Sequence, residues 1–199
     1  MFPKTYYDCG DGNSRDMDRQ QVIARLEKFE GCEPFMYRCT GGEVTIGVGH
    51  AIQSGADAAR LPWEIAGRAA SAVEAQTDFG KVAAAPKGAV AATYSALTQC
   101  RLSDEHIRSL VEADVQRFES SLAASFPKWS SYPEPVQEAL FDMAFNLGIG
   151  GLTKFVKLLG AVDAADWETA ARESQRQGIG QARNNATADL FRQAIGKTV

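Results

Sequence analysis

Apolar side chains recur every three or four residues along most of this chain, the repeat of a helix with one buried face. Val22, Ile23, Leu26 and Phe29 form the first such stripe. Asp18, followed three positions later by Gln21, gives a capping-box start, and Gly31 is a stop. The pattern then changes. Phe35 to Cys39 and Val44 to Val48 are short runs of strand formers separated by Thr40-Gly41-Gly42-Glu43, which predicts a hairpin. Gly47 and Gly49 at alternate positions of the second run imply a backbone approached closely by another segment or by a ligand. Beyond His50, Pro62-Trp63-Glu64 has the form of a first helical turn, with a helix running through Arg68 and Val73 to about Phe79. Pro86-Lys87-Gly88 breaks it before an alanine-rich helical piece that ends near Leu97.

Ser103 opens a longer helix with Ile107, Leu110, Val111, Val115, Phe118 and Leu122 on its buried side. Asp114 shares that apolar face, where a carboxylate needs a partner. After Pro127, Pro133 and Pro135, the residues Val136, Ala139, Leu140, Met143, Ala144 and Leu147 predict a core helix stopped by Gly148. Asn146 recurs on its buried face and must find hydrogen bonds. A short helix from Gly150-Gly151 to Gly160 follows, then one opened by Asp163 or Asp166. The last runs from about Gln181 to Ile195 and buries Ala182, Ala186, Leu190 and Phe191. Residues 1–15 show no periodicity and read as an irregular arm.

Composition narrows the function classes. The 199 residues are 45% hydrophobic, enough for one globular domain with a substantial core. Alanine and glycine are abundant and long β-branched runs are absent, so the fold class is α+β and mostly helical. A formal net charge of -4, with no basic stripe, argues against nucleic acid as a partner. No apolar run is long enough to span a bilayer, and no basic segment followed by an apolar one opens the chain. The expectation is no membrane partner and no export signal. Cys9, Cys32, Cys39 and Cys100 lack metal-ligand spacing, so neither a metal nor a cofactor is expected.

The stretch Glu27 to His50 reads EKFEGCEPFMYRCTGGEVTIGVGH. Its E-G, Y-x-C and T-I-G-V-G-H elements resemble the phage-type lysozymes, peptidoglycan muramidases in which a glutamate ends the first helix and a small sheet follows. In that family the acid, a second site residue and a threonine lie nine and then six positions apart, the spacing of Glu30, Cys39 and Thr45. The middle position is more often aspartate there, and Phe29 stands where relatives often carry another acid. The resemblance continues in M-A-F-N-L-G, Met143 to Gly148, and in Ser174 to Arg183.

That resemblance implies a lysozyme-like fold within 16–199. It comprises a sheet lobe at 31–52, a connecting helix at 103–123, a helical lobe at 133–196 and a helical insertion at about 53–101. The insertion either rims the substrate cleft, docks a partner or is a solvated spacer. It also implies Glu30, Cys39 and Thr45 as catalytic residues, Phe145 and Asn146 on the cleft floor, Arg183 paired with the glutamate, and His50 paired with Asp114. The activity would be N-acetylmuramidase action on peptidoglycan, by a monomer acting in the bacterial periplasm as a phage lysin or antibacterial effector. A holin, a secretion system or a larger parent protein would deliver it, with an immunity protein as a further partner.

Glycosidic hydrolysis needs a proton for the leaving oxygen and a nucleophile or placed water opposite. Glu30 supplies the first in this reading. Cys39 could attack or stabilise charge as a thiolate, or hold a water together with Thr45 as a thiol; the water-holding arrangement, with inversion, is favoured. Two other readings compete. One keeps the fold as an inactive wall-binding or adaptor module; the other makes Cys39 and His50 a thiol protease or amidase dyad.

Overall fold

The computed structural model describes residues 17–196. Two compact units are distinguished, Arg19–Phe118, and Glu119 onward with Met17 and Asp18. The expected arm at 1–15, with Cys9, lies outside the described residues. The architecture is α+β and mostly helical, as the composition implies.

The unit Arg19–Phe118 opens with α1 (Arg19–Glu30), which buries Val22, Ile23 and Leu26. Gly31 follows at φ 78°, a left-handed conformation that ends the helix directly after Glu30. Next come β1 (Glu33–Arg38), β2 (Val44–Gly47) and β3 (His50–Ile52), an antiparallel sheet in that order. The third strand was not expected. Gly47 and Gly49, at φ 61° and 80°, reverse the chain between β2 and β3. Gly47 also lies under Ile107, whose Cγ2 would stand 3.0 Å from an added Cβ. Both glycines thus serve the fold, one by turning and one by turning and yielding space.

The stretch after β3 is not helical throughout. A short helix, α2 (Gly55–Ala58), precedes a small hairpin of β4 (Glu64–Ile65) and β5 (Arg68–Ala69). The helix expected from Pro62 therefore starts only at Ala72. Ala66 and Gly67 both take positive φ, 50° and 81°, closing a two-residue turn where a helix would have to pass. Ser71 then caps α3 (Ala72–Ala84) with Glu74 in a full capping box. Arg68 is bonded to the same carboxylate, and these contacts hold the Glu74 pKa down at about 2. After α4 (Ala91–Ser95), α5 (Asp104–Ser125) buries Ile107, Val111, Val115 and Leu122.

In the other unit, α6 (Glu134–Leu147) is buried on all sides from Pro135 to Ala144 and stops at Gly148, φ 73°. Its Gln137 is fully partnered, donating to the carbonyls of Trp129 and Tyr132 and accepting from the Met17 amide. The next expected helix is two: α7 (Ile149–Leu152) and α8 (Val156–Asp163), separated by Phe155 at φ -81°, ψ 59°. Asp166 caps α9 (Trp167–Glu173) by accepting from the Thr169 amide. The final helix, α10 (Gln181–Gln193), buries Arg183, Asn184, Thr187, Ala188, Leu190 and Phe191. Ala182 is exposed and Ala186 only half-buried, so the buried face is more polar than alanine spacing suggested.

Candidate active site

Glu30 is the last residue of α1 and is exposed, because the left-handed Gly31 turns the chain away immediately after it. The sheet brings Tyr37 close to it. Tyr37 and Thr45 are direct cross-strand partners in β1 and β2, and Thr45 in turn faces Ala51 in β3. Tyr37 is half-buried, and its phenol pKa is pushed up to about 12, first by burial and then by the charge of Glu30, with a smaller contribution from Cys39. The phenol therefore stays a neutral hydroxyl at any physiological pH, close enough to Glu30 to feel its carboxylate.

Cys39 and Thr45 are tied through one acceptor. The Glu43 carbonyl receives the Cys39 amide at 2.9 Å and the Thr45 hydroxyl at 3.3 Å. Thr45 is 4% exposed, so its hydroxyl is fixed by this bond while its lone pairs stay available to accept. Cys39 is a free, half-buried thiol. Cys32 is also free and exposed, and burial of the sulfur with the nearby Glu27, Asp104 and Glu33 charges pushes its pKa up. That is the opposite of what an activated nucleophile needs.

His50 opens β3, and its Nδ1 lies 2.7 Å from Asp114 Oδ2 on α5, while Arg117 donates to the other carboxylate oxygen at 2.8 Å. Asp114 thus has partners at both oxygens, and the imidazole is engaged on the α5 side of the sheet. Among the described residues no group of three or more His, Cys, Asp or Glu is arranged to hold a metal ion. No helix of the described residues is long and apolar enough to cross a membrane.

Phe145, Asn146 and Arg183 belong to the other unit. Phe145 is half-buried and stacked on Phe141, centroids 6.1 Å apart. The Oδ1 of Asn146 is shielded from solvent and has no hydrogen-bond partner among the described residues. Arg183 is buried, with its Nε 3.0 Å and Nη2 2.8 Å from Asp142 Oδ1. The other oxygen of Asp142 accepts from Arg176 at 2.8 Å and from the Thr187 hydroxyl at 2.9 Å. Burial pushes the Asp142 pKa upward, but the two guanidiniums together outweigh it, and the carboxyl is held below its ordinary value. Sequence reasoning missed Asp142, Arg176 and Thr187. The available signal was an acid inside the apolar run Leu140 to Phe145.

A family model described as "Phage lysozyme" matches residues 27–182. The chain belongs to the phage lysozyme family. Among curated proteins it is similar to the pre-baseplate central spike protein Gp5 of Enterobacteria phage T4, 29% identical over 156 residues. That match covers 78% of this chain and 24% of the spike protein, so the chain spans about a quarter of that relative's length. The phage lysozyme match begins three residues before Glu30 and runs through the sheet, α5 and α6 to the first turn of α10.

Proposed function

We propose that the protein is an N-acetylmuramidase that hydrolyses the glycosidic bonds of bacterial peptidoglycan, with Glu30 as the proton donor. The observation that carries this reading is an exposed carboxyl ending α1, beside a sheet in which the Glu43 carbonyl links Cys39 to Thr45. Membership of the phage lysozyme family supports the substrate class. Glu30 protonates the bridging oxygen as the bond to the anomeric carbon breaks. A water held between the Cys39 thiol and the Thr45 hydroxyl adds to that carbon from the opposite face, inverting its configuration. The proton lost by the water passes to solvent, because no second carboxylate stands at the Cys39 position. The unpartnered Oδ1 of Asn146 is an acceptor suited to a sugar hydroxyl or acetamido N–H, and the half-buried Phe145 offers an aromatic face to a sugar ring. His50 and Asp114 hold the sheet to α5 and take no part in the chemistry.

The protein acts on the wall from the periplasm as a monomer, as an endolysin or a delivered antibacterial effector with an immunity protein to protect the producer. An inactive wall-binding module is the alternative, since Cys39 replaces the aspartate more usual in the family. Mass spectrometry of purified peptidoglycan after digestion separates the readings. Muramic acid reducing ends on fragments with intact peptides are expected. Cleaved stem peptides, or wall that is bound and not cut, would contradict the assignment.

A further inference from the structure

The residues between α3 and α4 lie in the stretch that the family resemblance reads as an insertion, and they meet the turn that carries Cys39. Arg38, the last residue of β1, makes the junction. Its Nε donates to the Gly42 carbonyl at 2.8 Å, across the turn, and its Nη1 donates to the Ala85 carbonyl at 2.6 Å, at the end of α3. Ala85 is extended (ψ 156°), so its carbonyl leaves the helix direction and needs a partner outside it. In return the Gly88 amide donates to the Arg38 carbonyl at 3.4 Å. The loops also touch through small residues. A Cβ on Gly42 would stand 3.6 Å from Lys87 Cδ, and one on Gly88 would stand 3.7 Å from Thr40 Cγ2.

Left to itself the turn is weakly held. Its own backbone bonds are Cys39 N–H to Glu43 O and Gly42 N–H to Cys39 O, both 2.9 Å, around two adjacent glycines with large conformational freedom. One planar guanidinium with two fixed arms removes that freedom better than a flexible amine could.

We propose that Arg38 is a positioning residue, and that the 85–88 loop braces the Cys39–Glu43 turn so that Cys39, and through the Glu43 carbonyl Thr45, are held in place for the water. This rests on the reading of Cys39 and Thr45 as the pair that holds the attacking water. A displacement of about 1 Å in a reacting group costs on the order of a hundredfold in rate, so a brace on a glycine-rich turn has a direct kinetic effect. The insertion then has a function in the site without contributing a side chain to it.

The test uses the full chain carrying Arg38→Ala or Arg38→Lys, with iodoacetamide labelling resolved by peptide mass mapping and kcat and KM measured on purified peptidoglycan. Exposed Cys32 is the internal reference. In Arg38→Ala the Cys39 to Cys32 labelling ratio rises roughly tenfold, the equivalent of one or two lost hydrogen bonds. In the same variant kcat falls by about tenfold or more, with KM nearly constant. Arg38→Lys, which keeps one arm, recovers part of both. A wild-type labelling ratio in folded Arg38→Ala overturns the brace, and a raised ratio with unchanged kcat overturns the positioning role. Should Arg38→Ala not fold, Gly88→Val strains the same junction from the other loop, at φ +70°; there too the ratio rises, and an unchanged ratio is decisive against the proposal. Because labelling is read without turnover, it reports the brace even if the wild type proves to release no sugar.

Discussion

Cys39 occupies a position where a carboxylate would be an unremarkable finding, and the thiol restricts what the site can do. The Cys39 amide and the Thr45 hydroxyl share the Glu43 carbonyl, so the backbone at Cys39 and the side chain of Thr45 are ordered by the same acceptor. A water-holding role needs only a small polar group at that point, whereas nucleophilic attack needs sulfur. Cys39→Ser and Cys39→Asp are therefore expected to retain initial rates within about tenfold of wild type, since neither removes a covalent step. A loss beyond roughly a thousandfold in Cys39→Ser, with trapped glycosyl-enzyme in the wild type by intact mass, would make the thiol the nucleophile. At this scale the candidates Glu30, Cys39 and Thr45 came from the resemblance to the phage-type lysozymes, in which an acid, a second site residue and a threonine stand at these spacings. Arg38 was not legible. Its partners are backbone carbonyls at Gly42 and Ala85, and carbonyls leave no trace in residue identity.

The elements show where periodicity succeeds and where it is overruled. The buried stripes of α1, α5 and α6 follow from apolar spacing, and α1 stops at Gly31 for the expected reason. The pattern failed between Pro62 and Ala69, where consecutive positive φ values at Ala66 and Gly67 make a hairpin of a stretch with helical composition. It also failed on α10, whose inner face carries Arg183, Asn184 and Thr187. Polar residues turn inward there because Asp142 on α6 offers a buried carboxylate, and Arg176, Arg183 and Thr187 converge on it. Removing that charge while keeping the shape, as in Asp142→Asn, should cost about 3 to 5 kcal/mol at neutral pH, because it breaks the buried ion pairs of Asp142 with Arg176 and Arg183 from one side. The sign of the pH dependence follows from the depressed Asp142 pKa. The stabilisation is complete above the unfolded value of about 3.9 and is lost as pH falls through the lower folded value. Thermal melts of wild type and Asp142→Asn should thus differ most above about pH 5 and converge at lower pH. A gap that stays constant down to the acid limit would mean that the pairing contributes little.

For the whole molecule, membership of the phage lysozyme family supports the proposed substrate class, and in that proposal a single carboxyl, Glu30, carries the activity. The sequence reading reached the architecture because glycine, proline and cap residues punctuate it clearly. It reached less of the region 53–101, where alanine-rich segments carry weak periodicity and the fold depends on contacts with β1. The direct test of the account is the initial rate of reducing-end release from purified peptidoglycan, wild type against Glu30→Gln, with binding to the same wall material measured by co-sedimentation. The amide cannot donate the proton, so the rate should fall by at least about a hundredfold, the lower range for a lost general acid, while binding stays within twofold of wild type. Release at the wild-type rate by Glu30→Gln, or no release by the wild type despite tight binding, would contradict the assignment of Glu30 as the catalytic acid.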